Sequence, residues 1–173
     1  MDLRQHLRLM ADWNLWCYRR TWAIVDQVPD AEYRGDRGLF FKSIHRSMNH
    51  MLLVELMWQG RLSGKLLQVS GLDQELEPDR ERLKARQFES AGSWRPYVDS
   101  LSDADLYGDF SYRAIAGTEH ALPRSAVIHT MFTHGCHHRG QVSTALSQLG
   151  FEVPVLDYPY FLNELPKAAL RGA

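Results

Sequence analysis

Residues 129–150 read HTMFTHGCHHRGQVSTALSQLG, and they predict a long amphipathic helix with two histidines on its buried face. Because successive helix residues advance by about 100°, His134 and His138 project within about 40° of each other, one turn apart. Both imidazoles can therefore reach one metal ion, as histidines at this spacing do in zinc peptidases. The apolar stripe that contains them is Val127, Met131, His134, His138, Val142, Ala145 and Leu149.

The neighbouring side chains of this helix fit a shared site less well. Cys136 lies roughly opposite both histidines, and His137 is about 60° from His134 and about 100° from His138. The spacing alone leaves two other interpretations open. His134 and His138 could be core histidines with hydrogen-bond partners, or the helix could turn a histidine-rich face to solvent.

Three other segments have helical periodicity, namely residues 2–27, 41–62 and 78–101. Asp2 can cap the first helix, and Pro123 suits the first turn of the last one, which should end at residue 149 before Gly150. We expect a loop at residues 29–38 and a short hairpin or extended loop within 107–122. The apolar tail, VPVLDYPYFLNEL, should pack on the bundle or on a partner. The predicted fold is an all-α four-helix bundle, with residues 1–173 forming a single domain.

The composition limits the classes of partner. The 173 residues are 45% hydrophobic and carry a formal net charge of -1, so we expect binding to neither nucleic acid nor an anionic membrane. The first residues are charged and contain no apolar signal-peptide core, and no stretch approaches the roughly 20 apolar residues of a membrane span. The two cysteines form no CxxC pair. We therefore expect a cytoplasmic protein.

A third metal ligand must come from another helix. The second predicted helix offers His45 and His50, and periodicity does not choose between them. Asn49, Glu55 and Gln141 are candidates for residues that orient the ligands by hydrogen bonds. Glu55 interrupts an apolar stripe, so it could orient a ligand, act as a base or pair with Arg139.

Four stretches resemble the DinB-like (DNA-damage-inducible) family of metal-dependent enzymes. They are DWNLWCYRR at 12–20, SIHRSMNHMLLVELMWQGRLSG at 43–64, THGCHHRGQVSTALSQLG at 133–150 and VPVLDYPYFLNE at 153–164. The resemblance is weak from about residue 66 to 122. One departure is Thr133, which stands where relatives commonly have Asn.

The resemblance implies the metal ligands His50, His134 and His138, and nickel or zinc as the most common ion. It also implies a metal-dependent enzyme that activates water or a low-molecular-weight thiol to attack a small electrophilic substrate, as a hydrolase or a thiol transferase. The alternative is a non-catalytic, metal-binding stress-response protein whose ion joins two helices. Relatives are commonly dimeric, and the five tryptophans provide much apolar surface, so a homodimer is expected.

Overall fold

The computed structural model describes residues 1–114 and 117–170. Within them, four long helices form most of the molecule, and the only sheet is one antiparallel hairpin. The prediction of an all-α bundle with a short hairpin before the last long helix is therefore confirmed. In chain order the elements are α1 Leu3–Val25, α2 Asp30–Arg34, α3 Ile44–Ser63, α4 Arg80–Ser100, α5 Asp103–Tyr107, β1 Asp109–Arg113, β2 Glu119–Pro123, α6 Arg124–Gln148, α7 Tyr158–Glu164 and a 3-10 helix Lys167–Leu170.

Local sequence determines where the long helices begin and end. The Asp2 carboxylate accepts a hydrogen bond from the Gln5 amide at 2.8 Å and caps α1, as predicted. Ser43 caps α3 in the same way, so that helix begins three residues later than the periodicity predicted. Gly64 and Gly150 follow α3 and α6 with φ angles of 73° and 86°, a backbone conformation that favours glycine.

The four long helices α1, α3, α4 and α6 run up, down, down and up, respectively. Helices α1 and α3 each pack against both α4 and α6, so α1 and α3 lie at opposite corners of the bundle. Helix α1 is antiparallel to α4 and parallel to α6, and α3 is parallel to α4. The contacts that define these directions are Arg4–Val98, Trp22–Gln87, His6–His129, Asn14–Arg139, Met48–Gln87 and Gln59–Ser90.

The parallel arrangement of α3 and α4 requires a long crossover, residues 64–79, that returns along α3. The Asn49 side chain fixes its second half: Oδ1 accepts hydrogen bonds from the amides of Leu76 and Glu77 at 3.0 and 2.9 Å. Nδ2 donates to the Glu77 carbonyl at 3.0 Å. Asn49 is almost fully buried, so these contacts satisfy an otherwise costly polar group. They hold the crossover against the middle of α3.

The prediction of a loop at residues 29–38 is wrong for the first half of that segment, which forms the short helix α2. Arg34 pairs with Asp30 four residues earlier at 3.1 Å, and Tyr33 is fully buried beside Trp22. Five residues are too few to establish a helical period in the sequence, while proline and glycine at both ends indicate a loop. Burial of the Tyr33 ring explains why the turn is helical.

The tail packs on the chain's own bundle, one of the two arrangements expected. Trp13 Nε1 donates to the Leu156 carbonyl at 2.8 Å, and the buried Phe161 ring lies 5.8 Å from the Trp16 ring. Much of the aromatic surface from which the homodimer was expected is therefore used inside one chain. No helix of the described residues is both long and apolar enough to cross a membrane.

Candidate metal centre

Three histidines from two neighbouring helices of the bundle, α3 and α6, converge at one point. Nε2 of His134 lies 3.3 Å from Nε2 of His50 and 3.1 Å from Nε2 of His138. One nitrogen atom from each ring lies within 4.8 Å of the others. The structure thus brings together the three residues that the resemblance implied, and it places His50 rather than His45 beside the pair on α6.

The spacing of these nitrogens suits a transition-metal ion. Zinc binds histidine nitrogen at about 2.0–2.1 Å, so two ligands of a tetrahedral ion lie roughly 3.3 Å apart. The two Nε2 separations in the structure, 3.3 and 3.1 Å, agree with that value. Neutral imidazoles prefer zinc, nickel, copper or iron to magnesium or calcium, which favour oxygen ligands. The group could therefore hold one divalent transition-metal ion.

Hydrogen bonds on the far side of two rings fix which nitrogen faces the centre. His50 Nδ1 donates to the Leu72 carbonyl at 2.8 Å, and His138 Nδ1 donates to Gln141 Oε1 at 2.9 Å. A carbonyl oxygen can only accept, so both Nδ1 atoms carry the proton in neutral rings, and both Nε2 atoms have a free lone pair. A neutral His134 ring has one N–H, which could donate to the Nε2 atom of only one of these two residues. An ion, by contrast, can accept an electron pair from the Nε2 atoms of all three histidines.

Burial keeps the three rings in the uncharged form that binds metals. Burial, followed by the neighbouring imidazoles, lowers the pKa of His134 to about 3. Burial also lowers the pKa of His138 to about 4 and that of His50 below its ordinary value. All three rings are consequently neutral at pH 7 without an acidic partner.

A pocket of about 530 Å³ opens onto the histidines. The Phe41 ring stacks on the His50 ring at 3.9 Å between centroids and shields one side of it. Tyr112 of β1 also lines the pocket, and its ring centroid lies 4.8 Å from that of Trp58. The hairpin therefore forms part of one wall of the site, a role that its sequence did not predict. The lining residues are Phe40, Phe41, His50, Val54, Met57, Trp58, Arg61, Leu72, Tyr112, Ala114, His134, His137, His138 and Gln141.

A family model described as the DinB family matches residues 3–167, nearly the whole chain. The chain belongs to the DinB family. None of the curated proteins compared with this DinB-family chain matches it. The match includes the segment from residue 66 to 122 in which the resemblance was weak, as well as both histidine-bearing helices.

In this DinB-family protein Gln141 lies beside His138, and it is one of the residues predicted from the sequence to form a hydrogen bond at the site. Its Oε1 accepts from His138, while its Nε2 lies 3.3 Å from Nε2 of the exposed His137. The exposed Thr133 hydroxyl, at the position where relatives commonly have Asn, donates to backbone carbonyls of its own helix. The Leu72 carbonyl, which accepts from His50, belongs to the crossover and has no signature in the sequence.

Asn49 and His45 contact the crossover, residues 64–79, which in turn contacts His50. Asn49 holds the crossover that supplies the Leu72 carbonyl, and its described hydrogen bonds include none to His50, His134 or His138. His45 packs on the Tyr33 ring and contacts Glu75 at 3.2 Å. Both residues therefore position the crossover rather than the three converging Nε2 atoms.

Glu55 lies in a separate polar cluster between α1, α3, α4 and α6. Its two oxygens accept from Asn14 Nδ2 at 2.8 Å and from the Ser90 hydroxyl at 2.9 Å. Arg139 donates to Asn14 Oδ1 at 2.7 Å, so Asn14 bridges the two buried charges. Burial raises the pKa of Glu55, whereas the hydrogen bonds from Asn14 and Ser90 and the charge of Arg139 oppose that rise. Glu55 thus interacts with Arg139 through Asn14.

We expect Gln141→Leu to weaken metal binding about 10- to 100-fold, because the His138 ring loses the partner that fixes its tautomer and orientation. Gln148→Leu is the matched control, since Gln148 is exposed on the same helix, away from the pocket. Chelator competition with zinc measures both affinities. Equal affinities of Gln141→Leu and wild type would show that the His138–Gln141 hydrogen bond does not orient the ligand.

Gly135→Ala should destabilise the fold by about 1–3 kcal/mol through overpacking. An added Cβ would lie 2.7 Å from Arg139 Nη1 and 3.3 Å from Asn14 Oδ1, both held in the buried cluster. Gly140→Ala is the control on the same helix, because its Cβ would meet nothing within 4 Å. Urea unfolding should show Gly140→Ala to be as stable as wild type, or more stable by up to about 1 kcal/mol. The same loss in both variants would contradict this account.

Proposed function

We propose that this chain is a metal-dependent enzyme in which His50, His134 and His138 hold one ion, nickel or zinc. The observation that supports catalysis rather than a structural role is the open pocket in front of the three Nε2 atoms. Among the described residues no fourth ligand joins the group, whereas structural zinc sites are closed by four protein ligands. Three protein ligands leave a position for a small molecule. When bound there, the ion would lower the pKa of a water or a thiol and so supply a nucleophile near neutral pH.

The protein's own residues determine how that nucleophile is used. The pocket walls are mainly apolar, so they would exclude water from a bound substrate and strengthen electrostatic interactions within the site. No Asp or Glu occurs among the described residues that line the pocket, so a carboxylate base for activating water is missing there. A free thiol has a pKa of about 8.5, far below that of water, so it can lose its proton to solvent and depends less on such a base. This favours transfer of a low-molecular-weight thiol to a small electrophile over hydrolysis.

The proposal is tested with purified protein loaded with nickel or zinc, beside His138→Ala. Glutathione or cysteine with 1-chloro-2,4-dinitrobenzene measures thiol transfer, and 4-nitrophenyl acetate measures hydrolysis. We expect a rate at least about tenfold above background in the first assay, lost in His138→Ala, as the loss of a metal ligand requires. Circular dichroism confirms that the variant is folded.

A different result would favour the non-catalytic interpretation. If loaded protein accelerates neither reaction, and chelation unfolds it, the ion instead joins α3 and α6 as a structural element. The homodimer expected from the sequence is a separate proposal. Analytical ultracentrifugation at micromolar concentration tests it, and a monomer would contradict it.

A further inference from the structure

Arg61 is the only Lys, Arg, Asp or Glu among the described residues that line the pocket. It lies eleven residues after His50 on α3, which is close to three full helical turns, so both residues face the same side of the helix. Val54 and Met57 lie between them on the pocket wall. The pocket therefore has the three histidines at one end and a guanidinium group at the other.

The Arg61 guanidinium is held in place by aromatic rings. Its central carbon lies 4.6 Å from the centroid of the Trp58 ring and 5.5 Å from that of Tyr112. Stacking of this kind uses the flat face of the guanidinium and leaves its N–H groups free at the edge. Such an arrangement presents several hydrogen-bond donors at low entropic cost.

No carboxylate neutralises this cation in the part of the chain that the structure describes. Burial is the main influence on the Arg61 group and lowers its pKa, and the Tyr112 hydroxyl counteracts this in part. A partly desolvated guanidinium without an acidic partner gains free energy when an oxyanion binds it, because charge-assisted hydrogen bonds are about twice as strong as neutral ones. The position is thus suited to an anionic ligand.

We propose that Arg61 binds an oxyanion of the substrate, a carboxylate or a group of similar shape and charge, while the reacting end lies at the histidines. This inference rests on the proposed function for the identity of the reacting end. The aromatic walls at Phe41, Trp58 and Tyr112 suit an apolar or flat body between the two ends. The substrate class is therefore an elongated, amphipathic monoanion.

The separation of the two ends limits the length of the ligand. Eleven residues of helix rise about 16 Å between the Cα atoms of His50 and Arg61. The Arg61 guanidinium lies over the ring of Trp58, three residues nearer to His50 on the helix, and this shortens that span. A ligand with a ring and a short chain bridges the remaining gap, whereas a two-carbon acid is too short to contact both ends.

The test uses 3-phenylpropane-1-sulfonate and neutral 3-phenylpropan-1-ol as probes. The sulfonate is a poor metal ligand, so its binding reports on Arg61 rather than on the ion. Calorimetry measures both dissociation constants on metal-loaded wild type, Arg61→Met and Arg46→Met. Arg61→Met removes the charge and keeps an apolar side chain, and Arg46→Met removes an exposed charge from the same helix outside the pocket.

We expect the sulfonate to bind wild type and Arg46→Met at least tenfold more tightly than the alcohol. In Arg61→Met that preference should fall to twofold or less. A preference that persists in Arg61→Met, or no preference in wild type, would overturn the proposal. The metal content of each sample is measured separately, so a protein that prefers the sulfonate but carries no metal would contradict the proposed function and support the oxyanion site.

Discussion

Replacing His134 with alanine should weaken the binding of nickel or zinc roughly 100- to 1000-fold. His134 is the central member of the group, because its Nε2 atom lies 3.3 Å from that of His50 and 3.1 Å from that of His138. Its removal leaves two imidazoles and opens a gap between α3 and α6. Competition with a chelator of known affinity, followed by absorbance, measures the change.

His137→Ala is the matched control for that experiment. His137 adjoins His138 and lines the same pocket, but it is exposed and lies outside the group of nitrogens that could hold an ion. We expect its metal affinity to remain within about threefold of wild type, because a histidine outside the ligand set supplies no bond to the ion. If His137→Ala loses as much affinity as His134→Ala, the ligand set proposed here is wrong.

Glu55→Ala should lower the free energy of unfolding by about 3–5 kcal/mol, a large part of the total for a small domain. The reason is Arg139, which is 1% exposed and is linked to Glu55 through Asn14. Without the carboxylate, that buried cation loses its nearby counter-charge, and Asn14 Nδ2 and the Ser90 hydroxyl lose their closest acceptor. Urea unfolding of the metal-free protein measures the change.

Two variants separate this structural role from a role at the histidines. Glu119→Ala removes an exposed hairpin carboxylate that pairs with Arg113 and should change stability by less than about 1 kcal/mol. Glu55→Gln keeps the shape and most hydrogen bonds, so it should fold and bind metal with wild-type affinity. A folded Glu55→Gln that loses metal would mean that Glu55 acts on the metal centre after all.

Helical periodicity predicted the part of the site that lies on one helix. His134 and His138 follow from a 3.6-residue period, because both belong to the same buried stripe of α6. The periodicity of α3 did not identify His50 as the third residue of the group. His45 and His50 project about 140° apart on α3, and which of them faces α6 depends on how the whole bundle packs. The resemblance to the DinB family, rather than local physics, identified His50.

The remaining features depend on tertiary contacts that have no local signature. The Leu72 carbonyl reaches His50 only because the crossover returns along α3 and Asn49 holds it there. The pocket wall at Tyr112 similarly depends on where the hairpin docks. The sequence could have shown that Arg61 shares a helix face with His50. It could not have shown that this face lines a pocket.

Elemental analysis after growth with nickel and zinc supplied tests the central claim most directly. Wild type and His138→Ala are purified side by side without chelators, and metal per chain is measured by mass spectrometry. The three-histidine site predicts close to one transition-metal ion per wild-type chain and a small fraction of that in His138→Ala. Wild type without metal, or equal metal in both proteins, would contradict it.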